Sequence, residues 1–227
     1  VLLLALETSS AQGSVSIHRD GKSICSRVWT RVQSHSEMVT VAISECLEQA
    51  GLEPGQIDTL AVGRGPGSFT GIRVAINAIK IFSYVSDLPI FAFDSTEILA
   101  NAVPARGLPV LAMVNAQRSA VFSAQFQYDG DWKKTQDLGL TLLPDLEEKT
   151  VLPHICVGDG YPAIESLLTP RLKSLLIRDP ALHDSPSSDV LGRLAWSRRN
   201  EVPTIDWNEL QALYIRASGA EETLRRG

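Results

Sequence analysis

The sequence predicts an α/β protein of two similar halves, each a mixed sheet with flanking helices. Three observations carry this. Two uniformly apolar runs of strand length, Val1 to Leu6 and Val110 to Val114, each enter a short polar turn, as buried central strands do. Each is followed by alternating stretches around an Asp-Gly pair, Asp20-Gly21 and Asp129-Gly130, the two-residue signal of a hairpin. Each meander then gives way to helical periodicity.

In the first half the opening strand runs into Glu7-Thr8-Ser9-Ser10. Ser14 to Ile17 and Ile24 to Trp29 alternate and flank Asp20-Gly21, so the sheet begins as an antiparallel meander. Ser34 opens a helix, with Glu37 three residues on to complete a capping box. Met38, Val39, Ala42, Ile43, Cys46, Leu47 and Ala50 cover about half of its surface, and Gly51 ends it as a left-handed cap. Ile57 to Gly63 is the next strand, and a Gly-rich turn leads to a second helix from Ile72 to Val85. Pro89 to Phe93 is a strand, and Asp94 with Glu97 starts a third helix.

The second half repeats the order. Val110 to Val114 enters Asn115-Ala116-Gln117-Arg118, Val121 to Tyr128 alternates, and Asp129-Gly130 precedes Trp132. Ile155 to Val157 leads into Gly158-Asp159-Gly160 and a helix near Ala163 to Leu168. A helix from Ser188 to Arg199 follows, and Ala212 to Arg216 is a last strand candidate. The polar tail from Glu221 to Gly227 is expected to fray. The division near 103–108 gives subdomains 1–104 and 105–227.

Composition narrows the function classes. With 44% hydrophobic and 21% charged residues, the 227-residue chain is globular rather than disordered. Its longest apolar run, Val1 to Leu6, is far shorter than the roughly 18 residues that span a bilayer, and lacks the basic flank of a signal peptide. The start at Val rather than Met points to missing preceding residue(s). Cys25, Cys46 and Cys156 are odd in number and widely spaced, which fits a reducing, cytoplasmic compartment better than a disulfide framework. A net charge of −5 is poorly suited to grip a phosphate backbone alone, although Arg193, Arg198 and Arg199 cluster.

The least ordinary stretch is Gly63 to Gly71, with four glycines in nine residues. Ser68 or Thr70 can cap the following helix, whose free amides suit an anion. It matches neither the Gly-x-Gly-x-x-Gly nor the P-loop phosphate pattern. A tight structural turn and an anion-contacting turn at Gly65, Gly67, Ser68 and Thr70 both remain open.

On the helix that follows, Arg73, Asn77, Lys80 and Tyr84 form one narrow polar stripe. Ile72, Ile76 and Ile79 flank it on one side and Val74, Ile81 and Val85 on the other. A helix apolar over more than half its circumference needs cover on more than one side, from the neighbouring helix or from a partner chain. Metal and nucleophile signals are weak. The four histidines stand far apart, and His35-x-x-x-Val39 lacks a second imidazole, leaving His35 as a solvated residue in a first helical turn. No Gly-x-Ser-x-Gly elbow occurs, and Cys46 reads as inert core. In two-lobed phosphotransferases an Asp after the first strand of each half organises metal and phosphates; Glu7 and Asn115 stand there instead, against autonomous ATP chemistry.

The turn Gly65-Pro66-Gly67-Ser68-Phe69-Thr70-Gly71-Ile72-Arg73 resembles the signature of the TsaB (YeaZ) family. Supporting matches are Leu6-Glu7-Thr8-Ser9, His35-Ser36-Glu37, Gly158-Asp159-Gly160 and Tyr214-Ile215-Arg216. The resemblance implies an actin/Hsp70/sugar-kinase-like (ASKHA) fold and a non-catalytic role, without cofactor or catalytic metal, in bacterial synthesis of tRNA threonylcarbamoyladenosine. It implies binding to the catalytic paralogue TsaD, work with the ATPase TsaE, and contact with tRNA only through the complex. In the family the first two helices meet TsaD or a second copy in a homodimer. That assigns partner contact to Ile72, Arg73, Ile76, Asn77, Ile79, Lys80 and Tyr84, with Met38 and Val41 on the first helix. The family usually has Asp at the Glu7 position, and Asp-Ala-Arg then Gly-Glu-Val-Tyr where this chain has Asn115 to Phe122. These departures remove the basis for a nucleotide or metal role at that turn and leave the scaffold role untouched. The alternatives are a small ATP-binding phosphotransferase of the same fold and a metallopeptidase, for which no metal-binding pair is offered.

Overall fold

The computed structural model describes residues 1–30 and 35–215. Its first sheet grows from β1 (Leu2–Glu7), buried along almost its whole length because both faces are covered. β2 (Gln12–Arg19) pairs antiparallel with β1, and β3 (Lys22–Thr30) antiparallel with β2. The reversal uses Asp20 (φ 51°) and Gly21 (φ 79°), the two left-handed residues that such a hairpin turn requires. α1 (His35–Ala50) ends as expected at Gly51 (φ 65°), where the Leu52 amide returns to the Leu47 carbonyl at 2.9 Å. The Ser34 end of its expected capping box lies outside the described residues. β4 (Thr59–Gly63), α2 (Phe69–Ser86), β5 (Ile90–Phe93) and α3 (Ser95–Asn101) follow. The capping box of α3 is complete: Asp94 accepts from the Glu97 amide at 2.9 Å, and Glu97 accepts from the Asp94 amide at 3.3 Å.

The second sheet repeats this plan. β6 (Val110–Asn115) pairs antiparallel with β7 (Ala120–Tyr128), which pairs with β8 (Trp132–Leu142). After α4 (Leu143–Lys149), β9 (His154–Val157) joins β6 in parallel; α5 (Gly160–Ile164), α6 (Pro170–Leu175), β10 (Leu176–Arg178) and α7 (Ser188–Ser197) complete the described elements. The strand orders β3-β2-β1-β4-β5 and β8-β7-β6-β9-β10 are the same topology, so the duplication read from the sequence is one of architecture.

α1 and α2 cover one face of the first sheet, packing Val39, Cys46, Ile72, Ile76 and Ile79 onto Leu4, Leu6, Val15, Ile17, Leu60 and Val62. The opposite face carries Leu3, Ala5, Ala61, Phe91 and Phe93, covered by α3 and by Val190, Leu191 and Leu194 of α7. α7 thus follows the second sheet in the chain but packs on the first. The lobes are also joined by charge. Lys134 of β8 lies 2.8 Å from Asp94, and Arg198 reaches Asp131 at 2.9 Å and the Trp132 carbonyl at 2.6 Å. Burial opposes ionisation of Asp94, but Lys134 and the Thr96 hydroxyl outweigh it and hold the carboxyl below its ordinary range. Arg193 pairs with Asp189 and Arg199 lies over Trp196, so the arginine cluster is engaged within the fold.

Several local expectations are corrected. α2 begins at Phe69 rather than Ile72, one turn nearer its cap. The helix placed near Ala163 to Leu168 starts at Gly160 and tightens to a 3-10 turn at Glu165. Residues 212–215 form no strand: a single bond, Leu213 amide to Arg64 carbonyl at 2.8 Å, ties them to the Gly-rich turn, and Arg216 lies outside the described residues. His35 is buried, not solvated. Its Nδ1 accepts from the Trp29 indole at 2.9 Å, and its Nε2 lies 3.1 Å from the Ser10 carbonyl, so it stitches α1 to the first hairpin.

Candidate functional site

Close backbone approach shapes the Gly-rich turn. Gly65 (φ 98°) and Gly67 (φ 154°) take conformations that side chains resist. The Ser68 amide donates to the Ser9 carbonyl at 2.6 Å, and the Thr8 hydroxyl to the Gly71 carbonyl at 2.7 Å. Ser68, rather than Thr70, is the cap: its Oγ accepts from the Gly71 amide at 3.3 Å. A cleft of about 450 Å³ opens between the lobes above this turn. Gly67, Ser68 and Thr70 rim it from the first lobe, Asn115, Gln117 and Asp159 from the second, and Tyr214 from the end of the described chain. Gly65 stands behind the rim, its carbonyl accepting from the Ser95 amide at 2.8 Å.

The two acidic-site positions diverge. Asn115 faces the cleft; its amide donates to Asp159 at 2.9 Å and its Oδ1 accepts from the Gln117 amide at 2.8 Å. Burial, with Asp184 adding, holds the Asp159 carboxyl above its ordinary range against the pull of the Asn115 amide. Glu7 points away, into the protein, and is fully buried. Its Oε1 accepts from the Ser9 amide, its Oε2 has no partner, and Gly63 leaves the space that the carboxyl fills. Burial pushes its pKa up from 4.5 to about 7, opposed by the hydrogen bonds from Ser9 and Thr8. Among the described residues, no three His, Cys, Asp or Glu side chains gather as a metal group.

On α2 the burial pattern separates the flanks. Ile72, Ile76 and Ile79 are 1%, 6% and 0% exposed and belong to the chain's own core. Ile81 and Val85, at 65% and 76% exposed, continue a strip with Val74 and Ala78 at i, i+4, i+7 and i+11. Val41 of the adjoining α1 is also exposed, and Met38 is half-buried against the core. Arg73, Asn77 and Lys80 rim a groove of about 490 Å³ against residues 210–214, with Tyr84 beyond it packed edge-on to Trp207 at 5.1 Å.

Two features escaped the sequence reading. Gln117, Arg118 and Ser119 are three consecutive non-glycine residues with positive φ (60°, 51°, 59°), for which the side chains give no signal. Phe69, Arg73 and Tyr214 form a stack: the guanidinium lies 3.9 Å from the Phe69 ring centre and donates to the Tyr214 hydroxyl at 3.0 Å. The sequence reads Tyr214 as part of a strand and of a family match; its separation of 141 residues from Arg73 hides the contact.

Residues 30–138 match the family model of TsaD, tRNA N6-adenosine threonylcarbamoyltransferase. The chain is 27% identical over 191 residues to the tRNA threonylcarbamoyladenosine biosynthesis protein TsaB of Bacillus subtilis, covering 84% of this chain and 76% of that one. It is 25% identical over 235 residues to the TsaB of Escherichia coli, covering 98% and 97%. The solved structure of YeaZ from Pseudomonas aeruginosa superposes with a TM-score of 0.79 at 23% identity, over 94% of this chain and 99% of that one, and shows the same fold. Among the described residues no helix is long and apolar enough to cross a membrane.

Proposed function

Because this chain belongs to the TsaB (YeaZ) family and has the ASKHA fold, we propose that it is a non-catalytic subunit of tRNA threonylcarbamoyladenosine synthesis, one that binds and supports TsaD. The observation that carries the reading is the apolar strip on α2, in which Ile81 and Val85 are exposed and Val74 and Ala78 half-buried, with Val41 exposed on the adjoining α1. The stretch resembling TsaD, residues 30–138, contains both helices, so TsaD is expected to present a like pair. Two like faces pack about a pseudo-twofold axis, each helix pair covering the other. A homodimer through the same strip would be the resting form. TsaE then acts on the assembled pair, and tRNA is held mainly by TsaD, in keeping with a net charge of −5 here.

The test is co-purification with TsaD. Burying one isoleucine contributes about 1.5–3 kcal/mol, and a buried unpaired carboxylate adds a desolvation penalty. Ile81→Glu and Val85→Glu should each fold normally and weaken TsaD binding by at least about tenfold, since ~1.4 kcal/mol is one decade. Ile76→Glu, in the core, should instead fail to fold. Wild-type affinity in both surface variants would place TsaD elsewhere.

The isolated chain with Mg²⁺ and ATP is expected to show no hydrolysis above background. Glu7 lies outside the cleft and Asn115 is a neutral amide, so neither position supplies a carboxylate to a metal. Steady metal-dependent turnover that vanishes in Glu7→Ala would overturn this expectation.

A further inference from the structure

We propose that Cys25 and Cys46 are a peroxide-sensitive thiol pair that closes to a disulfide and fastens α1 to β3. The residues are 21 apart in sequence and form no short motif, yet the fold lays one over the other: their sulfurs are 3.0 Å apart, both reduced, at the contact between edge strand and helix. A disulfide needs about 2.05 Å, so the sulfurs must approach by about 1 Å. β3 can yield by that much, because it is paired on one side only, to β2.

The two thiols are not equivalent. Cys25 is 5% exposed, with the Arg27 guanidinium 4.0 Å from its sulfur and the Gln49 side chain at 3.5 Å. Cys46 is fully buried; burial and Cys25 hold its thiol far above the ordinary range, so it keeps its proton, and its sulfur accepts from the Cys25 thiol. The outer sulfur therefore reacts first. The Cys25 sulfur attacks hydrogen peroxide: an S–O bond forms, the O–O bond breaks, and the hydroxide takes up the thiol's proton as water. The Cys46 sulfur then attacks the Cys25 sulfur: the S–S bond forms, the S–O bond breaks, and the hydroxyl leaves with the Cys46 proton as a second water. Two thiols are oxidised and one peroxide is reduced. Cys156 has no second thiol within reach: it lies in the other lobe, buried, its thiol pushed up to about 12 by that burial, and it serves as an internal control.

The experiment exposes the folded full chain to hydrogen peroxide, followed by intact mass and peptide mapping. The expected result is a loss of two hydrogens, a linked Cys25–Cys46 peptide, an unmodified Cys156 and full reversal by dithiothreitol. Melting should shift upward by several degrees, as a closed loop of this length implies. In Cys46→Ala the loss should disappear and dimedone should trap a sulfenic acid at Cys25; Cys25→Ser should show neither product. The proposal is overturned if wild type gains oxygen at Cys25 without cross-linking, if Cys156 or a second chain enters the bond, or if all three thiols survive.

Discussion

Gly71→Ala should leave almost no folded protein, a loss of more than about 4 kcal/mol from a total of 5–15. The added methyl would sit far inside van der Waals contact with the Thr8 carbonyl oxygen. Both parties are backbone, so no rotamer change relieves the clash, and α2 must move off the sheet. That opens the packing of Ile72, Ala75, Ile76 and Ile79 and breaks the Thr8 hydroxyl bond to the Gly71 carbonyl. Gly55→Ala is the control: its methyl meets nothing within 4 Å, and its effect should be near zero. Soluble yield and melting by circular dichroism make the comparison. Equal behaviour of the two variants would show that α2 does not depend on this contact.

Glu7→Gln should stabilise the protein above pH 7 and do little at pH 4. The folded chain holds the Glu7 proton until about pH 7, whereas the unfolded chain releases it near 4.5. Between those values the folded state binds more protons, so raising the pH favours unfolding, and the full penalty stands above pH 7. The difference of 2.5 units corresponds to about 3 kcal/mol. Glutamine keeps the acceptor for the Ser9 amide and carries no charge, and the unpartnered Oε2 becomes an amide nitrogen in the same space. In a chain of this size the gain at pH 8 should appear as a melting shift on the order of 10 °C, falling toward zero at pH 4. A pH-independent difference between variant and wild type would mean that Glu7 is not protonated in the fold.

Much of the architecture was legible because it rests on local rules. Asp20-Gly21, the Asp94–Glu97 box and Gly51 each act through their own few residues, and each performs the expected part. The flanks of α2 were legible as a pair but not in their assignment, since periodicity shows that two faces are apolar without saying which meets the sheet. His35 was misplaced for the same reason: its partners, Trp29 and Ser10, come from another element. Residues 212–215 have strand composition, but the Leu213 amide bonds to Arg64 just past the end of β4 and no ladder follows among the described residues, so tertiary context decided. Candidate-site features that depend on chain crossing, such as Arg73 under Tyr214 or Glu7 against Gly63, had no sequence signal at all.

The two glycine contacts with the turn after β1 also make α2 a lever with a fixed fulcrum. Gly67 and Gly71 press the first turn of the helix against Ser9 and Thr8, while the remaining turns extend toward Ser86. At 1.5 Å per residue the 18-residue rod is about 27 Å long. A tilt of ~5° at Gly71 therefore moves the Val85 end by about 2 Å, more than the play that a packed apolar surface tolerates. The short arm borders the cleft and the long arm carries Ile81 and Val85, so angular error at one end is magnified at the other. The stack of Phe69, Arg73 and Tyr214 sits beside the pivot, so a small shift within it becomes a large one at Val85.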